Sequence, residues 1–200
     1  MSELRSRVVL RGAGLAALAL TLPSCARKSE RFLATDVTGV DWGRDFHLTD
    51  HTGRPRTLAD FRGKAVMLFF GFTHCPDACP TTMAKMAQAV DRLGEAGKRV
   101  QGLFVTLDPK RDTRELLAQY VPAFHPSFIG LRGSEAEVAL TAKDFKIFFA
   151  LQAPDQSGFY TVDHTAAVFA FDPQGRLRLY MSGDSDVEAM VHDLKLLLWQ

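Results

Sequence analysis

The stretch from Ala65 to Leu93 limits the fold of this chain more than any other. An apolar and aromatic run, Ala65 to Phe70, reads as a buried strand that stops at Gly71. Two cysteines follow at once, Cys75 and Cys79, with three residues between them. A helix comes next, with Met83, Met86, Ala87, Val90 and Leu93 spaced to share one face. That order sets two thiols at a helix N-terminus, where unpaired N–H groups and the helix dipole favour negative charge. Thiolates form more easily there, so the pair suits a soft metal ion or disulfide exchange.

The beginning of the chain carries export features. Arg5, Arg7 and Arg11 precede or interrupt a short apolar stretch, Gly12 to Leu22, too short for a stable bilayer span. Leu22-Pro23-Ser24-Cys25 resembles a bacterial lipoprotein signal, in which cleavage falls before Cys25 and that cysteine carries the lipid. Pro23 is an unusual residue at its position, so ordinary cleavage or an uncleaved anchor stays open. The expected division is a signal over residues 1–24, a flexible tether over 25–40 and one domain over 41–200.

Removing the signal takes Arg5, Arg7, Arg11 and Glu3 from a chain of formal charge +1, leaving a nearly neutral domain. Such a domain has no global field for nucleic acid, and no basic block stands out. With Cys25 lipidated, Cys75 and Cys79 are the remaining cysteines. A disulfide closing so short a loop adds little chain entropy, so the pair is not a structural staple.

The rest of the chain alternates strands and helices. Phe46–Leu48 and Arg54–Leu58 flank Asp50-His51-Thr52-Gly53, a hairpin signal. Val100 to Leu107 is a second core strand closed by Asp108-Pro109, and Asp112-Thr113-Arg114-Glu115 reads as a helix cap. Phe128–Leu131 is a short strand and Glu135–Phe145 a third helix, with Asp155–Gly158 a loop. Ala166–Phe171 and Leu177–Met181 form a hairpin through Asp172-Pro173-Gln174-Gly175. Ser185–Trp199 closes the chain as an amphipathic helix. The predicted fold is α/β and thioredoxin-like: a central mixed sheet flanked by helices, with an N-terminal hairpin.

Two thiolates make an incomplete metal site, so a third ligand is sought among six histidines. His47, His51, His125 and His192 read as surface residues. His74 points away from its neighbour Cys75 in extended chain. His164 stands where an apolar strand begins, in Val162-Asp163-His164. Taken alone, such a histidine is more often a core or loop residue than a ligand.

Three motifs add a resemblance. Phe72-Thr73-His74-Cys75-Pro76-Asp77-Ala78-Cys79-Pro80-Thr81-Thr82, Leu107-Asp108-Pro109-Lys110-Arg111-Asp112-Thr113, and Val162-Asp163-His164 followed by Phe171-Asp172-Pro173-Gln174-Gly175 closely resemble the Sco/SenC family. The resemblance covers roughly Asp45 to Trp199, with Ala78 where many members carry valine. It implies a membrane-anchored, thioredoxin-like copper protein that helps assemble cytochrome c oxidase. Copper, as Cu(I) or Cu(II), is then held by Cys75, Cys79 and His164 and delivered to the dinuclear copper site of subunit II. The implied setting is the bacterial cell envelope, facing the periplasm, with another periplasmic copper chaperone as a candidate partner.

Around these ligands, Asp77 can orient a ligand or offset helix charge, and Asp163 faces away from the ring of His164, which leaves a backbone carbonyl to brace it. Asp108 lies at the sheet edge and either lines the site or serves the turn with Pro109; Lys110 and Arg111 read as a solvated loop. The competing reading is a thiol–disulfide oxidoreductase acting on cysteines of the oxidase subunit or of a copper chaperone. It departs from Cys-x-x-Cys spacing and has no need of His164. A zinc site is chemically open to the same ligands, whereas a peroxidase lacks a distant resolving cysteine.

Overall fold

The computed structural model describes residues 31–199; the expected signal segment and Cys25 lie outside them. Along the chain run β1 (Thr35–Asp36), β2 (Leu48–Asp50), β3 (Pro55–Arg56), β4 (Ala65–Gly71), α1 (Ala78–Arg92), β5 (Val100–Thr106) and α2 (Arg114–Tyr120). There follow β6 (Ile129–Arg132), α3 (Glu135–Asp144), β7 (Phe149–Leu151), β8 (Val162–His164), β9 (Ala167–Phe171), β10 (Leu177–Ser182) and α4 (Val187–Trp199). Among the described residues the main sheet has eight strands, in the order β1-β10-β9-β4-β5-β6-β2-β3. β4 runs parallel to β5, and β5 to β6, while β9 pairs antiparallel with β4.

Every residue of β4 and β5 is buried, as expected for strands covered on both faces. Successive side chains of β4 divide between the faces. Phe69 meets Phe104 at 6.2 Å, and Phe70 meets Phe145 and Phe169 at 5.3 and 6.1 Å. Each such ring removed from water contributes about 1.5–3 kcal/mol. α1 and α4 pack together against the sheet, with Met83, Met86, Ala87, Val90 and Leu93 buried as the spacing predicted. The Asp172–Gly175 turn forms with Gly175 at φ +78°, a left-handed conformation that glycine adopts without strain.

Three expectations change. The tether does not extend to residue 40: β1 pairs with β10, and Leu33 and Ala34 donate main-chain N–H bonds, both 2.8 Å, to the Asp193 carboxylate on α4. A free edge strand and a buried carboxylate supply partners that the polar segment could not reveal. The N-cap of α2 is Thr113, whose hydroxyl accepts from Leu116 N–H, while Asp112 turns into the core. α1 starts after an Asp77 N-cap, and Pro80 sits in its first turn, where its missing N–H costs nothing. Finally, β7, unforeseen in the sequence, pairs antiparallel with β8 as a separate two-stranded sheet.

Candidate metal centre

The site forms where β4 ends. Gly71 is the last residue of β4, and a Cβ there would stand 2.9 Å from Cys79 Sγ and 2.9 Å from the Phe104 ring. Glycine therefore lets the cysteine loop fold back onto the strand end. Cys75 lies in the turn before α1, partly exposed, and Cys79 lies in its first turn, fully buried. The Cys79 N–H, one of the helix's unpaired donors, points at Cys75 Sγ at 3.4 Å. That contact ties the outer sulfur to the start of the helix.

β8 brings the third group from far along the chain. His164 Nε2 lies 3.4 Å from Cys79 Sγ, and the three candidate ligand atoms lie within 4.8 Å of one another. Its Nδ1 faces the Thr165 carbonyl at 3.1 Å. A carbonyl only accepts, so Nδ1 carries the proton and the Nε2 lone pair is left toward the sulfurs. Asp163 points elsewhere and accepts from Gln152, as its place in extended chain predicted. Phe69 and Phe72 hold the imidazole edge-on at 6.2 and 6.0 Å.

Burial governs protonation here. It pushes the Cys79 thiol far above its ordinary 9.0, with Cys75 adding to the rise and the Phe72 main chain opposing it. Burial also lowers His164 below its ordinary 6.5, against the smaller opposing effects of Thr165 and Asp163. A neutral imidazole and a thiol that resists ionising in the absence of a cation suit a soft, positively charged ligand. Two sulfurs and one imidazole nitrogen fit a soft metal ion by donor type.

The other candidates separate. His74 bonds Thr73 Oγ1 at 3.0 Å and stays half-exposed, outside the cluster. Asp77 is exposed and accepts from Thr81 Oγ1. His47 is exposed, whereas His51 and His125 are half-buried: His51 accepts from Gly130 N–H, and His125 packs on Phe128. His192 sits beside Asp193 on α4. Lys110 is exposed, but Arg111 is not a solvated residue: it pairs with buried Asp108 and donates to the Tyr160 carbonyl at 2.8 Å.

Three participants were missed in the sequence. Asp112, fully buried, accepts from Thr73 N–H at 3.0 Å, Thr73 Oγ1 at 2.6 Å and Thr106 Oγ1 at 2.6 Å, tying the cysteine loop to β5. Tyr160 donates its hydroxyl to Asp108 at 3.0 Å. The Tyr120 hydroxyl is buried without a hydrogen-bond partner among the described residues, and burial, with charge on Cys79, Cys75 and Asp112, raises its pKa. The signal for Asp112 was the motif Leu107–Thr113, where helix capping explained it too easily.

These features define a thioredoxin-like domain with a dithiol–imidazole cluster at its first strand-to-helix junction. The SCO1/SenC family model matches residues 35–198, and the chain belongs to that family. It is 39% identical to the mitochondrial protein SCO2 homolog of Bos taurus, covering 96% of this chain and 75% of the relative. An SCO2-like protein of Rickettsia felis is 34% identical, covering 94% of this chain and 92% of the relative. Among solved structures, apo Sco1 of Thermus thermophilus superposes with a TM-score of 0.75 at 42% identity, covering 84% of this chain and 98% of that one. Copper-bound ScoI of Arabidopsis thaliana gives 0.71 at 31% identity, covering 78% and 98%.

Proposed function

We propose that this domain is a copper chaperone that binds one copper ion through Cys75, Cys79 and His164. In this reading it delivers the ion to the dinuclear copper site of cytochrome c oxidase subunit II. The observation that carries it is the convergence of two sulfurs and an imidazole nitrogen within 4.8 Å, from segments 85 residues apart in sequence. Relatives solved with copper bound, from Arabidopsis thaliana and Bradyrhizobium japonicum, support the choice of metal.

Cu(I) accepts thiolates, and imidazole suits both copper oxidation states. Two thiolates with Cu(I) carry one net negative charge, which the N-terminus of α1 offsets electrostatically. Cys75 and His164 are each partly exposed, so an incoming thiolate reaches the site from their side while buried Cys79 keeps its place. Ligand exchange then proceeds one sulfur at a time, without turnover. The domain works at a membrane in the cell envelope, tethered by residues preceding Leu33, with the signal over residues 1–24 removed and Cys25 lipidated.

Thiol–disulfide exchange is the second reading, and the partial exposure of Cys75 beside buried Cys79 favours it, because an incoming disulfide can reach the outer sulfur. Copper stoichiometry and Cu(I) affinity of the reduced domain, beside His164→Ala, separate the two. One copper per chain, weakened by about tenfold or more without the imidazole (1.4 kcal/mol per decade), supports a three-ligand site. Binding unchanged by His164→Ala leaves a dithiol and the oxidoreductase.

A further inference from the structure

His164 comes from a hairpin that rests Val162, and in part Phe149, on the core but lies outside the main sheet. β7 and β8 pair with each other and not with the main sheet. In the connection between them, every residue from Gln152 to Phe159 is exposed. That connection bonds to itself: Asp155 N–H donates to Phe159 O at 2.8 Å. Toward α3 the hairpin borders a cavity of about 380 Å³, whose lining includes Val138, Phe149 and Leu151, so that side offers incomplete packing.

Polar contacts hold a further place, Tyr160. The guanidinium of Arg111 lies 3.5 Å over the Tyr160 ring, and its Nη1 donates to the Tyr160 carbonyl at 2.8 Å. Asp108 Oδ1 accepts from the Tyr160 hydroxyl at 3.0 Å, while Oδ2 pairs with Arg111 Nε. Tyr160 is thus gripped at ring, hydroxyl and main chain by the ion pair of buried Asp108 and half-buried Arg111, just past the end of β5. It precedes His164 by four residues, and alternation along an extended chain puts Tyr160, Val162 and His164 on one side. Val162 is buried and Asp163 exposed, in keeping with that alternation. The same guanidinium lies 5.9 Å from the Phe72 ring, which meets the His164 ring at 6.0 Å.

We infer that Asp108, Arg111 and Tyr160 form a latch that holds His164 over the cysteine pair, making them positioning residues for the metal site. This rests on the copper reading for its purpose but not for its geometry. The latch fixes the imidazole before any ion arrives, so the ordering entropy is not charged to binding. Its release frees the hairpin and withdraws one ligand while both sulfurs stay, which is the step a chaperone needs to let its cargo leave.

Tyr160→Ala removes ring and hydroxyl from a partly exposed position, and Arg111→Lys keeps the charge but loses the forked contact. In the metal-free reduced protein, amide hydrogen exchange over residues 149–164 should accelerate about tenfold or more in Tyr160→Ala, with β4 and β5 unchanged. Cu(I) affinity, measured by competition with a chromogenic chelator, should fall about tenfold in Tyr160→Ala and by less in Arg111→Lys. In a His164→Ala background, Tyr160→Ala should cause no further loss, because its effect passes through the imidazole. Exchange within twofold of the parent overturns the latch, as does an equal affinity loss with and without His164. If His164→Ala itself leaves affinity unchanged, the copper reading fails, while the exchange result still decides whether the hairpin is latched.

Discussion

Replacing Asp112 tests how the motif after β5 supports the cysteine loop. Its carboxylate is fully buried and accepts three hydrogen bonds, two from Thr73 and one from Thr106. In Asp112→Ala the Thr73 N–H and two hydroxyls lose their acceptor. A buried donor left unpaired costs about 1–3 kcal/mol, and hydroxyls can turn to other acceptors whereas the amide cannot. The expected net loss is about 3 kcal/mol, or roughly 6–12 °C in Tm at 2–4 °C per kcal/mol for a domain of this size.

Asp112→Asn behaves differently. With its oxygen in the place of Oδ2, it keeps the bonds from Thr73 N–H and Thr106, and Thr73 Oγ1 can reverse to accept from the amide. Loss of charge assistance alone should cost about 1 kcal/mol. Thr73 stands two residues before Cys75, so the alanine variant should also weaken Cu(I) binding, by about tenfold, and the asparagine variant by much less. Thermal unfolding of the metal-free reduced domain, together with chelator competition, reads both effects. An alanine variant that melts within a degree or two of the parent and binds copper equally well would refute the reasoning.

Three other outcomes follow from the geometry. Gly71→Ala brings a methyl group within 2.9 Å of Cys79 Sγ and of the Phe104 ring, so it should cost about 1–3 kcal/mol and slow alkylation of Cys79 less than it weakens metal binding; unchanged Tm and affinity together would contradict the close packing. Burial lowers His164 below 6.5 and raises Cys79 above 9.0, so the unfolded chain gains a proton at the histidine first on acidification and loses one at the thiol first on alkalinisation. The metal-free domain should therefore lose stability as pH falls below about 6.5 and as it rises above about 9; His164→Gln should remove its share of the acid decline, and Cys79→Ala its share of the alkaline one, both read from urea midpoints. Asp193→Ala should release the chain at Leu33–Ala34 and speed proteolysis around residues 31–37, and a segment still resistant to protease would show that β1 pairing alone suffices.

Much of this protein was legible because its signals are local. The apolar run of β4, the helix spacing after Cys79 and the Asp172–Gly175 turn each depend on neighbours within a few residues, where pattern and backbone preference act directly. The cysteine spacing pointed to a soft metal ion or disulfide exchange, and His164 was singled out by the resemblance to the Sco/SenC motifs, since taken alone it read as a core or loop residue. Capping was less secure: Asp112 and Thr113 are both acceptable N-caps, and local propensity could not say which would turn inward.

What the tertiary structure alone decided depends on partners distant in the chain. The segment around Leu33 became part of the domain because Asp193 and the free edge of β10 supply its hydrogen bonds, a fact absent from its own polar composition. Arg111, which read as a loop cation, is committed to Asp108 and Tyr160 because the end of β5 and the approach to β8 meet in space. The sequence offered two thiols, and its family resemblance added an imidazole. Their approach to within 4.8 Å, with one sulfur buried, one partly exposed and the ring's free nitrogen turned inward, required the sheet to bring residues 79 and 164 together. Chemistry resides in residue types and can be read in order along a chain, whereas distance between remote residues is a property of packing.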